Sequence, residues 1–264
     1  MIVALSDVHL GFSCCEEGPF RRFLQEISLN PRVDHVVLMG DILDMWRRDP
    51  AKLLIDYTDI LELLSNMQKS KNVQYVVGNH DYHMIEVSEN IKRKYNLDVG
   101  MEALIPYGDY TYYFVHGHQF EFPDSLDSYQ QFADILCMGD DNTGRTADGL
   151  WNLYRMCFPH LTTPKKGRLK RKFRNAVNLP SERLEKRVLD RIQKEAAKKR
   201  EKFEDKIGDC FIVYGHTHRP YVDLNQKLAN SGSWANDAST PHLKKDTYIT
   251  IKESGAVDLH TYSP

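Results

Sequence analysis

The sequence is poor in several features that would otherwise decide its class. No apolar run approaches the roughly 20 residues that a membrane-spanning helix requires. The first residues, Met1-Ile2-Val3-Ala4-Leu5-Ser6-Asp7, have no basic stretch and soon meet a carboxylate, so a buried strand is expected there and not a signal peptide. Cysteine is scarce: the five residues are an odd number, Cys14 and Cys15 are adjacent, and no Cys-x-x-Cys spacing occurs. That excludes a disulfide framework and a thiolate zinc site, and the expected state is reduced thiols in a cytoplasmic protein. Charge of one sign is also lacking, with 35 Lys and Arg against 37 Asp and Glu. The 41% apolar content is too high for a disordered chain. At 264 residues, one α/β domain, or one domain with an insertion, is expected.

The near-neutral total conceals two sectors. From Pro164 to Lys206 there are 17 Lys and Arg against 7 Asp and Glu, a surplus of ten that leaves 18 basic and 30 acidic residues elsewhere. A basic sector suits a phosphorylated substrate, a nucleic-acid backbone or an anionic membrane surface as partner. No recognisable DNA-binding module accompanies it. A solvated helix face with i,i+4 pairs, such as Glu182–Lys186 and Glu195–Lys199, explains much of the same charge. The Lys165–Arg174 cluster has fewer acidic neighbours and is the better partner candidate. Oligomeric state is not legible.

Short β-rich runs recur, and each ends in a polar cluster. Ile2–Leu5 leads into Asp7-Val8-His9, Val33–Met39 into Gly40-Asp41, and Val73–Val77 into Gly78-Asn79-His80-Asp81. Tyr110–Val115 leads into His116-Gly117-His118, and Phe211–Tyr214 into Gly215-His216-Thr217-His218. Helical periodicity lies between them, at Pro19–Ile27 and Ala51–Met67, so a layered α/β fold is expected. After His118 the pattern turns helical, at Ser125–Met138, Leu150–Phe158 and Ser181–Ile207. Strands resume at Phe211, and Asp246–Ile251 with Ala256–Tyr262 reads as a hairpin. The expected division is a core of residues 1–118 and 208–264 interrupted by a basic helical insertion, 119–207.

Oxygen and imidazole groups thus gather just after strand ends, where open α/β sheets place ligands. This donor set suits Mn, Fe, Zn, Co or Ni better than a dedicated Ca or Mg site. The preceding glycines permit tight turns and close backbone approach. Taken singly, Asp-x-His is a common accident, Gly-Asp an ordinary turn, and a lone histidine usually structural. Five such blocks in order, each after a strand, are not well explained by chance.

The blocks Asp7-Val8-His9, Gly40-Asp41-Ile42-Leu43-Asp44, Gly78-Asn79-His80-Asp81, His116-Gly117-His118 and Gly215-His216-Thr217-His218 resemble the signature of the calcineurin-like metallophosphoesterase superfamily. The resemblance covers residues 1–118 and about 208–264. It implies a four-layer α-β-β-α sandwich with a helical cap and two divalent transition-metal ions, Mn foremost. Asp7, His9, Asp41 and His218 would hold one metal; Asp41, Asn79, His116 and His216 would hold the other, with Asp41 bridging. Asp44 and Asp81 would orient the metal-bound groups from outside, and Asp81 is grouped with His80 in the catalytic set. The implied reaction is attack of a metal-bridging hydroxide on phosphorus, with His80 protonating the leaving oxygen. His118 is expected to contact a ligand from outside, or the substrate. Arg47 and Arg48 are candidates for a substrate phosphate or for plain exposure. Asn230-Ser231-Gly232-Ser233-Trp234 also resembles the stretch that follows G-H-x-H in this superfamily; it reads equally as a turn near the metals or a simple strand end.

Gly40-Asp41-Ile42-Leu43-Asp44-Met45-Trp46, with the helical insertion, looks most like the UDP-diacylglucosamine pyrophosphohydrolase branch. His80 stands where that branch often has Arg, so only its architecture carries over. The expected activity is hydrolysis of a phosphodiester or nucleotide-linked pyrophosphate. A phosphomonoesterase or nuclease on the same site is the near alternative, and a non-catalytic membrane- or protein-binding scaffold is the alternative of another class.

Overall fold

The computed structural model describes residues 1–137, 146, 149–150, 181–236 and 244–263. Eleven strands form two sheets among these residues. In the first, β1 (Ile2–Leu5), β2 (His35–Met39), β3 (Asn72–Val76) and β4 (Asp98–Gly100) run parallel, and β10 (Thr247–Ile251) and β11 (Val257–Thr261) pair antiparallel beside β1. In the second, β6 (Tyr110–Val115), β7 (Cys210–Tyr214) and β9 (Leu228–Asn230) are parallel, with β5 (Glu102–Tyr107) and β8 (Tyr221–Asp223) as antiparallel edges.

Strand periodicity explains why the sheets stack. Alternate side chains leave a strand on opposite faces. Ile2 and Ala4 of β1, Val37 and Met39 of β2, Tyr112 and Phe114 of β6, and Phe211 and Val213 of β7 meet in one apolar layer. Val3, Leu5, Val36 and Leu38 face the opposite way, toward helices α1 (Glu17–Leu29) and α3 (Thr58–Met67). Tyr113, Val115, Ile212 and Tyr214 face outward from the second sheet, against a 27-residue helix, α6 (Ser181–Ile207). The result is the expected α-β-β-α order of layers, with parallel strands buried on both faces.

β1, β2, β3, β6, β7, β10 and β11 match the sequence reading to within two residues, whereas β4, β5, β8 and β9 have no counterpart in it. The single helix expected over Ala51–Met67 is instead two, α2 (Pro50–Asp56) and α3, separated by Tyr57 at φ −108° and ψ 21°. Tyr57 is buried there, and its hydroxyl donates to Glu17 Oε2 at 3.0 Å, which ties the break to α1. A further helix, α4 (Ser88–Tyr95), ends at Asn96 in the left-handed region, and α5 (Leu126–Leu136) follows the loop after β6.

The expected insertion contributes a core element. Val188, Ile192, Ala196 and Phe203 of α6 pack on the second sheet, whereas Ile207 is largely exposed. Glu195 pairs with Lys198 at 2.6 Å, not with Lys199, which lies over the Phe203 and Tyr113 rings at 4.7 and 5.6 Å. The Lys165–Arg174 cluster lies outside the described residues, as does the Leu150–Phe158 helix but for residue 150. Among the described residues no helix is long and apolar enough to cross a membrane, and Cys14, Cys15, Cys137 and Cys210 are free.

Candidate metal centre

All five motif blocks leave the carboxyl ends of β1, β2, β3, β6 and β7, and both sheets present those ends on one side. The turns are tight. A Cβ on Gly40 would lie 2.6 Å from both the Gly78 backbone and His116 Nδ1, and one on Gly78 would lie 2.6 Å from the Asp41 nitrogen. Only glycine lets these three loops approach so closely. Asp7, His9, Asp41, His216 and His218 all have positive φ, between 54° and 65°. Non-glycine residues in this region cost about 1–3 kcal/mol each and persist where the surroundings over-determine them. Here the surroundings are hydrogen bonds of the main-chain N–H groups: Asp7 N donates to Gly40 O at 3.0 Å, His9 N to Asp41 O at 2.9 Å, and His216 N to the Asp7 side-chain Oδ2 at 3.0 Å.

The Asn230–Trp234 stretch completes this bracing. Asn230 Nδ2 donates to Gly215 O at 2.6 Å, Ser231 Oγ lies 2.6 Å from Ser6 Oγ, and Trp234 N donates to Asp7 O at 3.0 Å. It ties the exit of β7 to the exit of β1, so it is part of the site's frame.

Among the described residues four groups of metal-capable side chains occur: Asp7, His9 and His218; Asp41, His116 and His216; His9, Asp44 and His80, which shares His9 with the first; and, apart from the motif blocks, His83, Glu86 and Asp134. Within the first, His9 Nε2 is 3.4 Å from His218 Nε2, and His218 Nε2 is 3.3 Å from Asp7 Oδ1. Asp41 lies between the first two groups, its Oδ2 3.2 Å from His116 Nε2 and 3.9 Å from His9 Nε2. Its Oδ1 accepts from His80 N at 2.8 Å. Ring orientations are set from outside. His116 Nδ1 faces Met39 O at 2.8 Å, and His9 Nδ1 faces Asp44 Oδ2 at 3.3 Å, which leaves each Nε2 toward the shared space.

The electrostatics suit a cationic guest. Burial pushes the Asp41 carboxyl up, but the His116, His80 and His9 rings outweigh it and hold it well below the usual range. Asp7 is likewise raised by burial and lowered further by His116 and His218. Burial depresses His116, yet Asp41 and Asp7 push it up to about 9. Asn79 Oδ1 is buried without a hydrogen-bond partner among the described residues, and Asp7 Oδ1 and His116 Nε2 are buried with only the ion-pair contacts to His218 and Asp41 given above, neither of them an aligned hydrogen bond. Buried polar atoms rarely go unpaired, and a divalent cation would satisfy this oxygen-and-imidazole set, so the residues present fit a metal pair.

His80 is buried, with its ring stacked on Trp46 at 3.9 Å and edge-on to His9 at 4.8 Å. Its Nδ1 lies 3.2 Å from Asp44 Oδ1 and 3.4 Å from Arg47 Nη1. Burial lowers its basicity, against the opposing pull of Asp41 and Asp44. Asp44 therefore serves His9 with one oxygen and His80 with the other, and Arg47 pairs with it. Asp44 is raised by burial but held far below the carboxylate range by His80, His9 and Arg47.

Asp81, expected to orient the metal-bound groups from outside and grouped with His80, faces backbone amides and a tyrosine hydroxyl. Its oxygens accept from Ile42 N at 2.9 Å, Gly78 N at 2.6 Å and Tyr75 OH at 2.6 Å. Buried and beside Asp41, it is pushed up to about 6. It staples the β2 and β3 loops together. His118 is fully buried and stacked on Tyr129 of α5 at 5.4 Å, with its ring 5.6 Å from His116. Of the two arginines, Arg47 joins the site and lies 4.2 Å over Phe12, whereas Arg48 pairs with Asp56 of α2 at 2.8 Å.

Sequence reasoning assigned no role to Trp46, Tyr75 or Glu121. Glu121 is 1% exposed, and its Oε2 lies 2.8 Å from His216 Nε2. Trp46 stands at the end of the quoted Gly40–Trp46 block, so spacing from Asp44 could have flagged it. Nothing local marks Glu121.

The calcineurin-like phosphoesterase family model matches residues 1–220. A UDP-2,3-diacylglucosamine hydrolase of Psychromonas ingrahamii is 24% identical over 263 residues, 92% of this chain and 93% of that protein. A symmetrical bis(5'-nucleosyl)-tetraphosphatase of Pseudomonas fluorescens is 31% identical over 86 residues, 33% of this chain. The match spans only 26% of the tetraphosphatase's length. A solved structure described as a novel archaeal phosphodiesterase aligns over 99% of both chains with 13% identity and a TM-score of 0.48.

Proposed function

We propose, from the premise that the chain belongs to the calcineurin-like phosphoesterase family and hydrolyses phosphoester bonds, that it is a dinuclear enzyme cleaving a phosphodiester or nucleotide-linked pyrophosphate. The observation that carries the dinuclear reading is Asp41, whose Oδ2 faces His116 Nε2 at 3.2 Å and His9 Nε2 at 3.9 Å between the two ligand groups. Asp7, His9, Asp41 and His218 would hold one cation; Asp41, Asn79, His116 and His216 the other. Manganese is the first choice, with Fe, Zn, Co and Ni suited to the same donors. Such a pair supplies Lewis acidity toward phosphoryl oxygens and a water acidified toward neutral pH.

The remaining steps belong to the chain. Asp44 takes Nδ1 of His80 and the Trp46 face fixes its plane, leaving Nε2 to deliver a proton to the leaving oxygen. Arg47, held between Asp44 and the Phe12 ring, is placed to bind a phosphoryl oxygen. Asp81 acts as a positioning group for the Gly40 and Gly78 loops. The two relatives named above support a nucleotide-linked substrate, since both carry a nucleoside or UDP moiety in their names. The Lys165–Arg174 cluster, with few acidic neighbours in the sequence, is the segment we assign to meet the substrate's charge. The free cysteines suit a reducing, cytoplasmic setting.

The test is a substrate panel with Mn supplied: an aryl phosphodiester, an aryl phosphomonoester, a nucleotide-sugar pyrophosphate and single-stranded DNA. Diester or pyrophosphate turnover with two metals per chain is expected. Preference for the monoester or the DNA would overturn the substrate reading. Absence of both bound metal and hydrolysis across Mn, Fe, Zn, Co and Ni would overturn the mechanism.

A further inference from the structure

We propose that Glu121 is a positioning residue for the second ligand group, acting through His216. This rests on the dinuclear reading above. His116 and Glu121 leave the same strand, β6, and the turn that follows carries the carboxylate to the neighbouring loop: Glu121 N donates to His118 O at 3.1 Å as the 3-10 turn His118–Phe120 closes. From there Glu121 Oε2 reaches His216 Nε2 at 2.8 Å, both residues being shielded from solvent at the side chain.

The chemistry follows from the ring. A carboxylate accepts, so it selects the tautomer with hydrogen on Nε2 and leaves the lone pair on Nδ1. His216 would then bind its cation through Nδ1, whereas His9 and His116, with Nδ1 facing Asp44 and Met39 O, present Nε2. The positive φ of His216 belongs to the same arrangement, because it turns the ring toward Glu121 while the backbone N–H serves Asp7.

A buried carboxylate needs more than one partner. The second comes from α6: Arg191 Nη2 lies 4.0 Å from Glu121 Oε1, and its guanidinium sits 5.0 Å over the Phe122 ring. Ile192 and Ala196, on the same helix, are fully buried against the second sheet.

Mn titrations of the full-length protein, read by calorimetry and by Mn EPR, test this without reference to turnover. Wild type should bind two ions per chain and give the multiline spectrum of a coupled pair. Glu121→Ala should keep one ion at wild-type affinity, bind the second about 10–100-fold more weakly, and give a mononuclear spectrum at one equivalent. Glu121→Gln, isosteric and still an acceptor, should recover part of the loss and guards against misfolding. In a His216→Ala background, Glu121→Ala should change affinity by less than about twofold, since residues acting through one another do not add. Two ions at wild-type affinity in Glu121→Ala, or additive losses in the double variant, would overturn the role of Glu121. A wild type that binds fewer than two ions would instead overturn the dinuclear reading itself.

Discussion

Around Asp7, His9 and His218, the supporting group comes from the motif blocks themselves: Asp44 lies 3.3 Å from His9 Nδ1. Around Asp41, His116 and His216, support comes from a main-chain carbonyl, Met39 O, and from Glu121, which belongs to none of the five blocks. Both halves carry the same kinds of ligand and the same left-handed backbone at their aspartates and at His9, His216 and His218. They differ in how their rings are oriented. One half is organised by a carboxylate from another of the motif blocks, the other by a main-chain carbonyl and a turn that no block contains. A ligand set can therefore be conspicuous in sequence while half of its outer support is not.

Asp41→Ala strikes both halves at once and should have the largest effect. Losing the shared carboxylate should remove several kcal/mol of charge stabilisation, on the order of 10⁴-fold in kcat/KM, and lower metal stoichiometry below two. Retention of both ions would show that the halves do not share it. His80→Ala should reduce kcat by about 10²- to 10³-fold while leaving both ions bound, because His80 touches Asp44 and Trp46 and lies outside both sets of proposed ligands. Equal activity would remove the acid role. Asp44→Ala should weaken the first half selectively, by about 10–100-fold in metal affinity, and so mirror the effect proposed for Glu121 in the second. Equal weakening of both ions would erase the contrast between the halves.

The smallest effect is expected away from either half. Asp246 is half-buried, has positive φ, and its Oδ1 finds no hydrogen-bond partner among the described residues; burial and Glu16 push it up to about 6. A carboxyl raised in the folded state binds more protons there than in the unfolded chain. Its contribution is thus most favourable below about pH 4 and is lost as pH rises toward about 6. Asp246→Asn, which tolerates the left-handed region, should raise stability at pH 7 by about 1 kcal/mol after discounting for its exposure. The same change should leave stability near pH 4 and turnover unaltered. Thermal melts at the two pH values check this, and equal shifts at both would exclude the carboxyl's charge as the cause.

Much of the fold could be read from local pattern because the core strands are long enough to carry it. Five runs of four to six residues, each followed by polar donors, correspond to β1, β2, β3, β6 and β7. The three-residue strands β4, β8 and β9 hold too little periodicity to stand out, and β5, an edge strand of six residues with a proline, has no counterpart in the sequence reading despite its alternating pattern. The break at Tyr57 is illegible for another reason: apolar spacing continues through it, and what divides the helix is a contact with Glu17 forty residues away. The same distinction separates the two arginines. Adjacent in sequence, Arg47 pairs with Asp44 inside the site and Arg48 with Asp56 on the surface of α2.

The sequence by itself determined the donor types, their order, and the glycines that let their loops close, because these are properties of residue identity and of spacing within a few residues. It also determined the amphipathic α6, whose apolar stripe follows helical periodicity over 27 residues. Tertiary packing sets which nitrogen of each histidine faces the shared space, turns Asp81 to two backbone amides and the Tyr75 hydroxyl, and places Glu121 behind His216. Those outcomes depend on contacts between residues 3 to 95 positions apart. A hydrogen bond is directional over about 3 Å, whereas spacing along the chain constrains position only within one element.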